Sequence, residues 1–165
     1  MTPDLEIEDN YYRFRGVLMN AFPYLPAVAG YGFDRAADLG DATERERLSA
    51  SAIRGFLNIA GRWNLSESQA RALLGGIASS TFHAWKSHPK RTKLNQDTLV
   101  RVSLILGIYK ALHIYFGDPW ADRWVTLGNR GPLFAGQPPV EFMIRHGQPG
   151  MVAVRRILDS WRGGQ

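Results

Sequence analysis

Residues 65–86, LSESQARALLGGIASSTFHAWK, decide the reading of this chain. Ser66 and Gln69 have the spacing of a capping box, in which each side chain satisfies the other's free backbone N–H, so a helix starts there. It runs through Ala70, Leu73 and Leu74 and stops at the Gly75-Gly76 pair, because two glycines cost too much backbone entropy to continue a helix. Ser79 is the expected N-cap of a second short helix through Thr81, Phe82, Trp85 and Lys86, and Pro89 ends it. The layout is helix, tight turn, helix, with small polar residues opening the second helix.

Helices extend in both directions from this unit. Upstream, Leu48, Ala52, Ile53, Phe56, Leu57 and Ala60 keep the i, i+3, i+4 spacing of a one-sided helix. Downstream, Asn95 can cap a helix from Gln96 to about Phe116 whose apolar residues wrap most of its circumference, the signature of a helix at the centre of a fold. Asp118-Pro119 opens a further short helix with Trp120, Trp124 and Leu127 on one side, and residues 128–132 form a loop. Pro138-Pro139 opens the next helix, Gly147 ends it, and Pro149 opens the last, with Met151, Val154, Leu158 and Trp161 on one stripe. The Gly147 to Pro149 break predicts a separable final unit. No strand pattern and no repeat is legible, so the fold class is all-α: a helical bundle divided into residues 1–45, a possible dimerisation or packing segment, 46–127, the helix-turn-helix domain, and 128–165, a C-terminal helical region.

The composition suits a folded protein: 165 residues, 45% hydrophobic and 21% charged, with enough apolar surface to bury a core. There is no cysteine, which excludes thiolate nucleophiles and Cys-ligated zinc and fits a reducing compartment. The first ten residues carry Asp4, Glu6, Glu8 and Asp9 and no base, so no signal peptide is legible and the cytoplasm is the expected location. The longest apolar stretch, Val102 to Phe116, is broken by Ser103, Gly107, Lys110 and His113. It is too short to span a bilayer, so no membrane partner is expected.

The net charge is +5, and the stretch from Ser68 to Gln96 carries Arg71, Lys86, Lys90, Arg91 and Lys93 without an acid. A local positive field attracts polyanions. In a helix-turn-helix the second helix puts its N-terminal residues into the major groove, which makes Ser79, Ser80, Thr81, His83 and Lys86 the candidates for base edges. Lys90, Arg91 and Lys93 would hold phosphates. The plain alternative is a helical hairpin with a solvated basic loop. Phe82 and Trp85, one turn apart, read as core. A two-fold operator needs two readers, so a homodimer or a pair bridged by a partner protein is expected.

An enzyme is disfavoured. His83, His88, His113 and His146 show no metal-ligand spacing such as HExxH, and neither GxSxG nor a P-loop occurs. No catalytic residue, metal or cofactor is therefore expected.

Over residues 48–163 the chain resembles the antitoxins related to Xre-type repressors that carry the MbcA/ParS/Xre toxin-binding domain. The likeness lies in the segment 65–86, the aliphatic run LILGIYKALHIYF, the pair in DPWADRWV and the tail PLFAGQPPVEFMIRHGQPGMVAVRRILDSW. The resemblance implies a partner toxin of the RES-domain class, which consumes NAD or uses it to ADP-ribosylate a target, and a chain that blocks the toxin's cleft and represses its own operon. It implies toxin contacts from the last helix, with Trp161 and Arg162 foremost, Arg155 and Arg156 next, and Met151 on the same helix. The alternative for Trp161 is a helix-end core aromatic, and for Arg155 a surface pair with Asp159. The rival function is a free-standing repressor with no toxin partner.

Overall fold

The computed structural model describes residues 38–163, with side chains to Trp161. The acidic first ten residues, all of the expected dimerisation or packing segment 1–45 up to residue 37, and the side chain of Arg162 lie outside the described residues. Six α-helices are present and no strand occurs among the described residues, as the periodicity predicts.

Helix α1, Ala42–Arg62, begins six residues ahead of Leu48, where the apolar spacing starts. Asp41 explains the earlier start, since its carboxylate accepts from the Thr43 N–H at 2.9 Å and so satisfies one orphan donor of the first turn. Leu48, Ala52, Ile53, Phe56, Ile59 and Ala60 form the buried stripe. The capping box of Ser66 and Gln69 forms as predicted and starts α2, Glu67–Leu73. Gly75 (φ 98°) and Gly76 (φ 79°) make the turn in left-handed conformations that a side chain would strain. Helix α3, Ser79–Ser87, is followed by a single 3-10 turn, Pro89–Arg91.

Helix α4, Gln96–Tyr115, is capped by Asn95, which accepts from Thr98 N–H at 2.8 Å. Although its length and apolarity would allow it to cross a membrane, it is the enclosed central helix here. Leu99, Val102, Ile105, Leu106, Ile108 and Leu112 are buried between α1, the short helix α5, Trp120–Arg123, and α6, Pro139–Gly163. Small residues let the helices approach: a Cβ on Gly55 of α1 would stand 3.2 Å from Leu106 Cδ2, and Gly107 lies directly under the Arg155 guanidinium.

Helix α6 is two helical segments meeting at Gly147, whose φ 60° and ψ −144° are open only to glycine. Pro149 then sits in the first turn of the second segment, where a missing N–H costs nothing. The break is where the sequence puts it, but the segment after it is not a separable unit. Met151, Val154 and Leu158 are fully buried in the one core that also holds α1 and α4. Once the chain turns at Gly147, the apolar stripe of the last segment has the exposed flank of α4 as its partner surface.

Polar links reinforce this joining. Gln69 Nε2 of α2 donates to Glu141 Oε1 of α6 at 2.8 Å, and Gln148 Nε2 donates to Asp97 Oδ1 of α4 at 2.5 Å. Asp97 also accepts from Arg101 Nε at 2.6 Å. The helix-turn-helix is thus seated on the C-terminal helices, which fix its orientation.

Candidate DNA and toxin surfaces

The α2–turn–α3 unit is closed by its own side chains. Arg71, counted above with the basic stretch, donates from Nε to the Ile77 carbonyl at 2.7 Å across the glycine turn, so it is a structural cation. Phe82 is buried and Trp85 is half-buried against the core, which turns the other side of α3 outward. Ser80, Thr81, His83 and Lys86 are all exposed on that side. This is the geometry in which short side chains reach base edges.

Ser79 departs from its expected role as cap. The N-cap position is Ala78, with no side-chain cap, and Ser79 is the first helical residue. Its hydroxyl donates instead to Glu67 Oε1 at 2.9 Å. His83 Nε2 lies 3.3 Å from the same oxygen, so one carboxylate gathers two of the expected base-reading residues. Glu67 was missed in the sequence because the acid-free stretch begins at Ser68, one residue after it. The glycine turn carries α3 back across α2 and returns the acid to the expected reading face.

Lys90 and Arg91 are exposed on the 3-10 turn beyond α3, and the Lys86 ammonium stands 5.7 Å from the Phe82 ring centroid. Lys93 is exposed as well, but it pairs with Glu46 Oε1 of α1 at 2.9 Å. Such an exposed pair is worth little in stability, yet it removes much of the field that Lys93 would offer a phosphate. The positive patch therefore centres on Lys86, Lys90 and Arg91.

A second surface lies at the far end of α4. Trp161, near the C-terminus of α6, is half-buried in an aromatic cluster, with ring centroids 5.2 Å from Tyr115, 6.2 Å from Phe116 and 6.0 Å from Trp124. The large apolar side chains that stand exposed among the described residues, Ile114, Tyr115, Trp120 (58% exposed) and Leu127, all belong to the last turn of α4 and the stretch that follows it. Ile114 and Tyr115 were not singled out in the sequence, where the apolar residues of α4 read as wrapping most of a central helix. The signal was the run Ile114-Tyr115-Phe116, three apolar residues in succession that cannot all face one neighbour.

The remaining toxin-facing candidates divide. Met151 is fully buried, so it is corrected to a core residue that supports the last helix from beneath. Arg155 is half-buried over Gly107 and donates from Nε to Asp159 Oδ2 at 2.9 Å, the i, i+4 pair that was the plain alternative. Arg156 is exposed and available. The structure therefore brings Trp161 together with Tyr115 and Trp124, and leaves Met151 and Arg155 serving the fold.

A glycine-turned helix pair seated on a helical C-terminal half with an exposed aromatic end defines an all-α protein of the helix-turn-helix class. Residues 40–107 match the antitoxin Xre-like helix-turn-helix domain, and residues 111–164 match the antitoxin Xre/MbcA/ParS C-terminal toxin-binding domain. The chain is 37% identical over 113 residues to "Uncharacterized protein y4oB" of Sinorhizobium fredii (strain NBRC 101917 / NGR234), an alignment covering 68% of this chain and 84% of that relative. No solved structure matches it. The chain belongs to the Xre/MbcA/ParS antitoxin family. A toxin partner follows from the toxin-binding domain.

Proposed function

We propose that this protein is the antitoxin of a type II pair whose toxin is of the RES-domain class, and that it covers the toxin's NAD-binding cleft and represses its own operon from the cytoplasm. The observation that carries the reading is that the exposed large apolar side chains Ile114, Tyr115, Trp120 and Leu127, with Trp161 packed on Tyr115, all fall within the segment matched to a toxin-binding domain. Large aromatic residues at the centre of an interface bury much area at low entropic cost and are the usual anchors of tight complexes. Arg156, exposed on the outer side of the same helix as Trp161, suits a cleft built for phosphates. The chain acts by obstruction and supplies no chemistry of its own. On the opposite function, Ser80, Thr81 and His83 read bases while Lys86, Lys90 and Arg91 hold phosphates, in a dimer that matches a two-fold operator.

The test is co-expression with the product of the neighbouring reading frame. A stable complex, protection of the cells and suppression of NAD loss are expected. Cells left unprotected by full-length protein at normal abundance would overturn the reading in favour of a free-standing repressor.

A further inference from the structure

The four histidines have no metal-ligand spacing in the sequence, but the fold assembles three ligand atoms around one of them. His113 is in the last turns of α4, Asp118 is in the loop that follows, and Asp122 is on α5. Their donor atoms lie within 4.8 Å of one another. We propose that His113, Asp118 and Asp122 bind a divalent cation of the zinc class, tying the end of α4 to α5 beside the aromatic surface.

The argument starts from the imidazole. Its Nδ1 lies 2.9 Å from the carbonyl of Tyr109, four residues earlier. A carbonyl only accepts, so Nδ1 carries a proton and donates. In the neutral ring Nε2 then presents a lone pair. A ring nitrogen donating to a backbone carbonyl is also what orients metal-bound histidines and raises their basicity. Stacking on the Tyr109 ring, with centroids 4.0 Å apart, holds the plane in place.

Nε2 stands 3.3 Å from Asp118 Oδ1 and 3.3 Å from Asp122 Oδ1. Nε2 and Asp122 Oδ1 are shielded from solvent, and neither makes a hydrogen bond. Three acceptor atoms converging without a donor between them are mutually repulsive, and a buried polar atom left unpaired costs about 1–3 kcal/mol. A bridging proton on Nε2 would draw a carboxylate in to about 2.7–2.9 Å, closer than either acid is. Zinc with nitrogen and oxygen ligands at about 2.0–2.2 Å in a tetrahedron separates its ligand atoms by about 3.3–3.5 Å. The two distances from Nε2 match edges of that tetrahedron, and the two carboxylate oxygens lie within 4.8 Å of each other.

The surroundings complete the case. Arg62 Nη1 lies 3.6 Å from Asp122 Oδ2, which holds the far oxygen and leaves Oδ1 turned to the site. Asp118, with a side chain 72% exposed, leaves a fourth position open to water or to a group from a partner. One imidazole with two carboxylates favours zinc over magnesium or calcium, which prefer all-oxygen shells.

Calorimetric titration of the full-length protein with zinc chloride, with magnesium chloride as the comparison, tests the site. One equivalent of zinc should bind, with no magnesium binding under the same conditions. Asp118→Asn removes an exposed ligand and should leave the circular dichroism unchanged while weakening zinc affinity by about tenfold or more, and His113→Asn should abolish stoichiometric binding. His83→Gln and His146→Gln should bind as the unaltered protein does. Failure of the unaltered protein to take up one equivalent of zinc, or equal zinc affinity in Asp118→Asn, would overturn the proposal and leave an imidazolium between two carboxylates.

Discussion

Removing the last helical segment, from Pro149 onward, should unfold this protein and not merely disarm it. The segment contributes Met151, Val154 and Leu158, each fully buried against α4. Burying an aliphatic side chain of this size contributes roughly 1.5–3 kcal/mol, so the three together contribute about 5–9 kcal/mol, an upper figure because unfolded chains already hide some apolar surface. The flank of α4 that they cover would be exposed at a comparable cost. Domains of this size are stable by only about 5–15 kcal/mol, so the loss consumes most or all of the margin. Urea denaturation followed by circular dichroism, with Leu158→Ala alongside the truncation, reads the effect. The point variant should lose about 2–5 kcal/mol and keep a cooperative transition, while residues 1–148 should lack one. A truncated chain that unfolds cooperatively at nearly the urea midpoint of the full-length protein would refute the single-core reading and restore the final helix as a separable unit. A truncation that fails to neutralise a toxin is therefore uninformative about the toxin interface without that measurement.

Three further outcomes are expected. Trp120→Ala, at an exposed position, should leave the melting temperature unchanged and weaken toxin binding by about 2 kcal/mol, roughly 30-fold, in a pull-down or calorimetric titration; an unchanged affinity would remove α5 from the interface. Lys90→Ala and Arg91→Ala should each lower the slope of log K against log salt for operator DNA by about one, whereas Glu67→Gln should strengthen binding at low salt by taking a negative charge from the reading face; weaker binding by Glu67→Gln would mean that its links to Ser79 and His83 are needed to present α3. Gly147→Ala forces a side chain into φ 60° and ψ −144° and should cost about 1–3 kcal/mol in thermal unfolding, a cost that vanishes if the two segments of α6 can merge into one straight helix.

The elements of this fold are legible locally, and the reasons are local. The Ser66–Gln69 box, the Asn95 cap, the Gly75-Gly76 turn and the Gly147 to Pro149 break each depend on backbone groups within four residues, so their spacing alone fixes where helices start and stop. The start of α1 is less legible, since Asp41 acts before any apolar residue announces the stripe. The candidate DNA face is half legible: which side of α3 points outward follows from Phe82 and Trp85, but no spacing shows that Glu67 closes on Ser79 and His83.

What the sequence determined by itself was the class of each segment, because caps, glycines and the 3.6-residue period act along the chain. What only the tertiary structure decided was which apolar residues are core and which are surface. Met151 and Trp161 share one stripe in the sequence, yet Met151 lies over the middle of α4 and is enclosed, while Trp161 reaches the end of that helix, where α4 stops and the covering runs out. The same chain reversal after Phe116 brings Asp118 and Asp122 to His113. Side chains five and nine residues beyond a histidine on a continuous helix would lie farther along the rod, and only the turn that ends α4 sets them around one point.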